Sequence, residues 1–401
     1  MQTELADFIR DTPQGREADA VLRKCVHCGF CNATCPTYQL LGDELDGPRG
    51  RIYLIKQVLE GVAPTAKTRL HLDRCLTCRA CETTCPSGVQ YGRLADIGRE
   101  IVEQKVGRGA WEGVKRSVLA AVLPRTSLFS LLLDVGRAMK FFLPENLKSK
   151  IPARSEPAGA WPAPRHRRRM LVLAGCVQPA LAPAINAAAA RVLDRAGISL
   201  IEAPGAGCCG ALRFHLNDQE GGRDDMRALI DAWWPMVEAG EVEAIVMTAS
   251  GCGVFTKDFF QHLKDDPEYR EKAQQISALT KDLSEVLPEG EIPRKIRHGR
   301  IAFQSPCSLQ HGQQLQGKVE VLLERAGYEL EPVADGHLCC GSAGTYSILQ
   351  PELSGRLRER KLAALAAGGA ATIATANIGC LSHLQSGTRT PVRHWIQLLD
   401  E

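Results

Sequence analysis

The 401-residue chain lacks any apolar run long enough to cross a bilayer, which takes about 20 residues. Its most apolar stretch, residues 117–143, is interrupted by Arg125, Asp134, Arg137 and Lys140. It also lacks a strong excess of charge. Lys and Arg number 49 against 46 Asp and Glu, and a net charge of +3 argues against a nucleic-acid binder. The opening residues, MQTELADFIRD, are acidic and polar, so no secretory signal is expected and a cytoplasmic location is. No Ser-His-Asp order, H-E-x-x-H or P-loop occurs, and the chain offers no flavin or nicotinamide site of its own. What remains is ordinary for globular protein: 44% apolar and 24% charged residues, in a length that suits two or three domains.

The departure from the ordinary is cysteine. The sixteen cysteines fall as eight within residues 25–85 and eight within residues 176–380. The first eight form two runs, Cys25-Val-His-Cys28-Gly-Phe-Cys31-Asn-Ala-Thr-Cys35-Pro36 and Cys75-Leu-Thr-Cys78-Arg-Ala-Cys81-Glu-Thr-Thr-Cys85-Pro86. Both read C-x2-C-x2-C-x3-C-P, the spacing of a two-cluster ferredoxin. Three thiolates of a run wrap one iron cube, and the fourth, beside proline, reaches the other. A zinc site uses four ligands, usually in two separated pairs, and two identical four-cysteine runs fit no common zinc pattern. A disulfide framework belongs to small secreted domains. Two [4Fe–4S] clusters, which move single electrons, are therefore expected.

Thirty-nine residues separate Cys35 from Cys75, and residues 51–60 within that gap carry apolar side chains at helical intervals, with Gly61 as a stop. Residues 94–105 repeat the helical pattern. Leu128, Leu131, Leu132, Val135, Met139 and Phe142 also fall at helical spacing, which suits a helix packed on its own protein or one lying on a membrane or partner. Residues 144–168 are rich in Pro, Ala and basic residues and read as a linker.

Beyond the linker the chain repeats itself. Leu171-Val-Leu-Ala-Gly-Cys176 matches Ile301-Ala-Phe-Gln-Ser-Pro-Cys307, Gly207-Cys208-Cys209-Gly210 matches Leu338-Cys339-Cys340-Gly341, and Gly251-Cys252 matches Gly379-Cys380. In both copies 31 residues lie between the first cysteine and the pair. Each copy reads strand, cysteine, helix, strand, Cys-Cys-Gly, long helix, strand, cysteine, the alternation of an α/β layer with a mostly parallel sheet. The cysteines follow the C-terminal ends of the predicted strands, where such folds place their sites. Four equivalent cysteines per copy, Cys176, Cys208, Cys209 and Cys252, then Cys307, Cys339, Cys340 and Cys380, point to metal or redox chemistry. Four thiolates satisfy zinc or an iron cluster alike.

Gly205-Ala-Gly207-Cys-Cys-Gly210 also matches G-x-G-x-x-G, with Asp224 and Asp225 downstream. The second copy, Gly336-His-Leu-Cys-Cys-Gly341, loses the middle glycine and keeps both cysteines, which removes the dinucleotide reading. His27 lies inside the first run, where a hydrogen bond to sulfur would tune a cluster. His215, His311, His337 and His383 flank the second cysteine set as candidate further ligands, and Arg49, Arg51 and Arg79 would raise a cluster potential if close, though ordinary solvated side chains are the simpler reading for all of them.

With these motifs in place, the whole chain resembles the iron–sulfur subunits of glycolate oxidase, also called glycolate dehydrogenase. More widely it resembles glycerol-3-phosphate dehydrogenase C subunits, lactate-utilisation proteins and heterodisulfide reductase subunits. Asp46-Gly-Pro-Arg-Gly-Arg51, His337-Leu-Cys-Cys-Gly-Ser-Ala-Gly344 and Ala376-Asn-Ile-Gly-Cys380 carry the narrower likeness. The resemblance implies cluster ligands Cys25, Cys28, Cys31 and Cys85 for one cube, and Cys75, Cys78, Cys81 and Cys35 for the other. It implies flavoprotein partner subunits that oxidise a 2-hydroxy acid, and delivery of the electrons to a quinone-type acceptor from the inner face of the cytoplasmic membrane. Relatives of the heterodisulfide type end the Cys-Cys-Gly domain in C-x-x-C. Here Ala249 and Asn377 stand at the first of those positions, which argues against thiol–disulfide catalysis.

The expected fold class is α+β multidomain. A helical ferredoxin-type domain with two [4Fe–4S] clusters covers residues 1–105, a helical segment and Pro/basic linker residues 106–168, and two duplicated α/β Cys-Cys-Gly domains residues 169–297 and 298–401.

Overall fold

The structure is a computed structural model that describes residues 1–142, 152, 156–288, 290 and 299–400. Part of the expected linker and the expected boundary at residues 297/298 lie outside the described residues. The chain forms two compact units. One is Met1–Arg116 together with His337–Leu357; the other is Ser117–Gly336 together with Arg358–Glu401. The segment carrying Cys339 and Cys340 thus belongs with the N-terminal cysteine runs, although by sequence it lies inside the second repeat.

The first unit is helical. Helix α1 (Pro13–Lys24) starts where Thr12 accepts from the Gly15 amide and Pro13 supplies a preset first turn. Helix α2 (Pro48–Leu59) covers the helical pattern in the gap between the runs, α3 (Ala66–Asp73) opens on a Thr65–Thr68 capping box, and α4 (Tyr91–Val106) stops at Gly107. Leu22, Ile55, Leu59, Leu72 and Leu94 form its core, with Cys25 and Cys81 in the same cluster. The thiols are therefore held by apolar packing on one side.

Helices α5 (Ala110–Val122) and α6 (Thr126–Ala138) cover the long apolar stretch. Among the described residues no single helix is long and apolar enough to cross a membrane. Helix α6 has no buried residue at all. Of the two readings of that stretch, packing on its own protein is met only by half-buried side chains such as Leu128, Phe129 and Leu133.

The second unit holds two parallel sheets. Strands β1 (Arg168–Val172), β2 (Ile198–Glu202), β3 (Ile245–Met247) and β4 (Thr280–Asp282) lie in the order β2-β1-β3-β4. Strands β5 (Arg300–Gln304), β6 (Glu329–Glu331), β7 (Thr372–Thr375) and β8 (Val392–His394) repeat that order as β6-β5-β7-β8. Each sheet has a fourth strand that the sequence pattern does not reveal; β4 and β8 carry Lys281 and Arg393 at their centres and lack an apolar run such as that of β3. Side chains alternate across β1, so Met170 and Val172 join Ile301, Phe303, Ala374 and Trp395 in a core common to both repeats, while Leu171 faces Trp233 and Phe259 on the other side.

Polar groups in this core are paired both within the first repeat and across the repeats. Gln178 and Thr248 both donate to Asn186 Oδ1, at 2.7 and 2.6 Å, and His394 Nε2 donates to Thr248 O at 2.8 Å. Burial pushes the His394 pKa down to about 4, so the ring is a neutral donor. Ser250 Oγ and Ser308 Oγ meet at 2.8 Å, tying the loop before Cys252 to the turn after Cys307.

Candidate functional site

Each N-terminal run folds by the same local device. The residues before and after the second cysteine take positive φ: His27 at 60° and Gly29 at 85° in the first run, Thr77 at 52° and Arg79 at 59° in the second. Alternating left- and right-handed residues curl the loop around its own interior and aim amides inward. The Thr77 amide lies 3.4 Å from Cys75 Sγ. A single helical turn follows, Phe30–Ala33 or Ala80–Thr83, and places the third cysteine on it. Cys35 then precedes Pro36, which starts the helix Pro36–Leu41 and turns the chain away from its own run.

The fourth cysteine of each run sits with the other run. Cys25, Cys28, Cys31 and Cys85 line one cavity, walled by Ile52, Pro86 and Val89, with Cys81 at its edge. Burial pushes the Cys31 thiol up to about 11, and the nearby sulfurs of Cys25, Cys85 and Cys28 add to the shift. Burial likewise raises Cys81 well above the thiol range, and the nearby Cys78, Cys75, Glu82 and Cys35 add to the shift. None of these cysteines is in a disulfide. Two groups of four soft sulfur donors are the chemistry an iron cluster accepts.

The surroundings of the two groups differ. Behind Cys75 and Cys35 lies a buried ionic network centred on Asp46, whose side chain is 0% exposed against 1% for Arg51. Arg51 donates from Nε to His71 O at 2.7 Å and reaches Thr37 Oγ1 at 3.2 Å and Asp46 Oδ1 at 3.5 Å. Arg74 donates to Asp46 Oδ2 at 2.8 Å, and His71 Nδ1 meets Asp46 Oδ1 at 3.0 Å. Arg99 spends its donors on carbonyls, Leu72 O at 2.9 Å and Cys75 O at 2.6 Å. The Tyr91 hydroxyl donates to Cys75 Sγ at 3.6 Å, and the Tyr346 hydroxyl to Arg74 O at 3.2 Å. Burial alone would raise the Cys75 thiol, yet Arg51 and Arg99, helped by the Thr77 amide and Tyr91, bring it below its ordinary value.

At the first group the charge is nearer solvent. Cys28 is exposed, and Arg49 donates to Glu44 Oε1 at 2.6 Å with both side chains more than a third exposed. His27 lines the same cavity as Cys25, Cys28 and Cys31, and its Nδ1 lies 3.0 Å from Met1 Sδ. Of the three arginines considered from the sequence, Arg51 is buried at the site, while Arg49 and Arg79 are paired to Glu44 and Glu82. Asp46, Arg74, Arg99, Tyr91 and Tyr346 were not singled out from the sequence. Asp46 and Arg51 are the two ends of the Asp-Gly-Pro-Arg-Gly-Arg segment, and that segment is the signal that could have found them.

In the first repeat Cys176 follows β1, Cys208 and Cys209 follow β2, and Cys252 lies in the first turn of helix α7 (Ser250–Lys257) after β3. The crevice between β1 and β3 is the topological switch point of this sheet. The thiols form a chain of contacts, Cys176 to Cys208, Cys208 to Cys209 and Cys209 to Cys252. The contact with Cys208, then burial, pushes Cys176 well up. Gly210 has φ of +88°, and a Cβ there would stand 2.4 Å from Gly222 O, so the Cys-Cys-Gly turn can be that tight only with glycine. The matching Gly341 has φ of +91° and the same crowding, against Ser354 O.

In the second repeat Cys307 and Cys380 belong to the unit with the sheets, and Cys339 and Cys340 to the unit with the cysteine runs. His215 lies edge-on to Phe255 at 6.0 Å between ring centres.

Comparison with known proteins agrees with this layout. Residues 21–89 match the 4Fe-4S dicluster domain family, and residues 170–256 and 301–385 match the cysteine-rich domain family. The chain is 56% identical over 403 residues to the glycolate oxidase iron-sulfur subunit of Escherichia coli (strain K12), covering 100% of this chain and 99% of that protein. It is 31% identical to a probable glycolate oxidase iron-sulfur subunit of Bacillus subtilis (strain 168), covering 94% and 92%. A crystal structure of a hypothetical protein from Helicobacter pylori shares the fold, with a TM-score of 0.52 over 96% of this chain and 71% of that one at 10% identity. By full-length identity and by its dicluster and repeated cysteine-rich domains, this chain belongs to the family of glycolate oxidase iron–sulfur subunits.

Proposed function

We propose that this chain is the electron-transfer subunit of a flavin-dependent glycolate dehydrogenase, receiving electrons from flavoprotein subunits and passing them to a membrane quinone. The observation that carries the reading is the crossing of the two runs into two four-thiol groups, Cys25, Cys28, Cys31 and Cys85, and Cys75, Cys78, Cys81 and Cys35. When bound there, two [4Fe–4S] clusters supply one-electron carriers. The protein's own part is to exclude water with Ile52, Val89 and Leu76, to hold sulfurs with inward amides, and to set charge with buried arginines. Oxidation of the 2-hydroxy acid, a two-electron reaction, falls to the flavin of the partner, and this chain binds no substrate.

We infer a peripheral position on the inner face of the membrane, and the surface of helix α6 supports that reading. The helix exposes Leu131, Leu132 and Val135, and Met139 follows in the next turn; Arg125 and Lys140 flank them, while Arg137 is paired with Asp134. Exposed apolar residues flanked by basic ones suit an anionic lipid surface.

The test is anaerobic co-purification with the flavoprotein subunits, followed by iron analysis and a screen of 2-hydroxy acids for reduction of a quinone analogue. The expected result is about 8 iron per chain from two four-iron clusters and activity highest with glycolate. Near-zero iron in folded chain would sink the electron-transfer reading; D-lactate or glycerol 3-phosphate as the preferred substrate would move the chain to a sister enzyme. The converging thiols Cys176, Cys208, Cys209 and Cys252 favour one addition, a metal in the first repeat. Zinc beyond the 8 iron makes it a structural site, and extra iron makes it a further cluster, as a heterodisulfide-type reading requires.

A further inference from the structure

We infer that the buried Asp46–Arg51 network sets the direction of electron flow inside the chain, by making the cluster site of Cys75, Cys78, Cys81 and Cys35 the more oxidising of the two. The inference rests on the reading of both thiol groups as cluster sites.

Charge is the first argument. Reduction adds one electron to a site whose four thiolates already make it anionic, so fixed positive charge nearby favours the reduced form. Around Asp46 two guanidiniums, Arg51 and Arg74, face one carboxylate. Arg99 adds a third cation whose donors go to the carbonyls of Leu72 and Cys75. Of the further carboxylates, Asp43 lies within 4.8 Å of Asp46 but is exposed, Glu82 is paired with Arg79 at 3.1 Å, and Asp73 is held by Arg108 at 2.7 Å and Arg116 at 3.5 Å. The buried balance beside Cys75 is therefore positive.

At the Cys25 group the Met1 ammonium donates to Cys25 O at 2.6 Å, one cation where the Cys75 group has two in excess, and one arginine, Arg49, meets one glutamate, Glu44, with solvent reaching both. That pair cancels itself, and what remains is screened by water. Burial acts in the opposite sense, because desolvation disfavours the more highly charged reduced site, and the Cys75 group is the less exposed. Against that cost stand Arg51, Arg74 and Arg99 for the one buried carboxylate of Asp46, with Arg99 held on the carbonyl of Cys75 itself at 2.6 Å.

Hydrogen bonds point the same way. The Thr77 amide and the Tyr91 hydroxyl aim at Cys75 Sγ, at 3.4 and 3.6 Å. Donors to sulfur raise a cluster potential. With a cluster held by each group, the electron given up at the Cys25 site would be taken up at the Cys75 site, one leaving and one arriving, with no proton or bond changing place. Arg51 and Asp46 act through the site and are positioning residues. Arg51 favours the reduced form and Asp46 opposes it.

The test is an EPR-monitored redox titration of the anaerobic full-length chain, the Cys75-group signal being identified by its loss in Cys78→Ser. In the wild type the Cys75-group site should be reduced first. Arg51→Met should shift the electron distribution at least tenfold toward the Cys25 group, which is 59 mV for a one-electron couple. Asp46→Asn, of the same shape and one negative charge fewer, should shift it the other way, and Arg51→Lys should lie between Arg51→Met and wild type. A merely structural role moves Arg51→Met and Asp46→Asn in the same direction, and that result overturns the inference. So does a Cys75-group midpoint below that of the Cys25 group in the wild type. If Arg51→Met fails to retain iron, Asp46→Asn decides alone, and an unchanged or lowered midpoint overturns the inference. Absence of any cluster at the Cys75 group in the wild type overturns the cluster reading as well; two clusters with unmoved midpoints overturn only the inference.

Discussion

The two cysteine runs share every spacing and the same curled backbone, yet they sit in unlike settings. The first lines a cavity that solvent reaches at Cys28, with its arginine spent on a neighbouring glutamate. The second is backed by Asp46, Arg51, His71 and Arg74, with Arg99 and Tyr91 on Cys75. Ligand spacing specifies what can be bound, and the residues behind the ligands specify how it behaves once bound. Two sites of one kind become a graded pair only through that second layer.

The comparison depends on the exchange of fourth cysteines, and breaking the exchange has the largest expected effect. Cys85→Ser, a change in the second run, should abolish the signal of the Cys25 group and cut iron from about 8 to about 4 per chain. Cys35→Ala should instead damage the Cys75 group. Iron analysis with site-resolved EPR checks both, and loss of the signal belonging to the mutated residue's own run would show that the runs do not cross.

Next in size is the buried network itself. Removing one partner of a buried ion pair leaves an uncompensated charge and costs about 3–5 kcal/mol, whereas an exposed pair contributes about 0–1 kcal/mol. Asp46→Ala strands Arg51 and Arg74 and should destabilise the chain on the larger scale. Glu44→Gln, at the first run, should stay on the smaller one. Anaerobic urea unfolding of the two variants compares them directly, and equal losses would remove the distinction between the settings.

The runs, the repeat and the α/β alternation are legible in the sequence because each rests on spacing, which a linear pattern preserves. Residues 51–60 and 94–105 read as helix for the same reason, and α2 and α4 cover them. The rest depends on which residues the fold brings together. Arg51 reads as a surface side chain because arginine is rarely buried unless paired, and its partners lie at Asp46 and at the carbonyl of His71, 5 and 20 residues away. Strands β4 and β8 carry Lys281 and Arg393 at their centres and lack an apolar run such as that of β3. The membership of residues 337–357 in the first unit follows from contacts such as Tyr346 with Arg74, which no periodicity encodes. Helix α6 shows an amphipathic pattern whether or not anything covers it, so its lack of buried residues had to be seen.

The smallest difference between the runs lies in the residue after the second cysteine, and it tests how far the shared backbone is shared at equal cost. Gly29 and Arg79 occupy the same left-handed position, at φ of 85° and 59°. Glycine enters that region freely, while a side chain there costs about 1–2 kcal/mol. At Gly29 an added Cβ would also stand 2.8 Å from a guanidinium nitrogen of Arg49, the end of a flexible side chain that can move aside. Gly29→Ala should therefore cost about 1–2 kcal/mol, chiefly in backbone strain. Arg79→Gly relieves the strain in the second run but gives up the 3.1 Å contact of Arg79 with Glu82 and adds freedom to the unfolded chain. These terms offset, so its effect should stay within about 1 kcal/mol of zero. Thermal unfolding of the two variants, both retaining iron, should place Gly29→Ala clearly below Arg79→Gly. The reverse order would mean that Arg79 holds the second loop through its pairing more strongly than the backbone resists it.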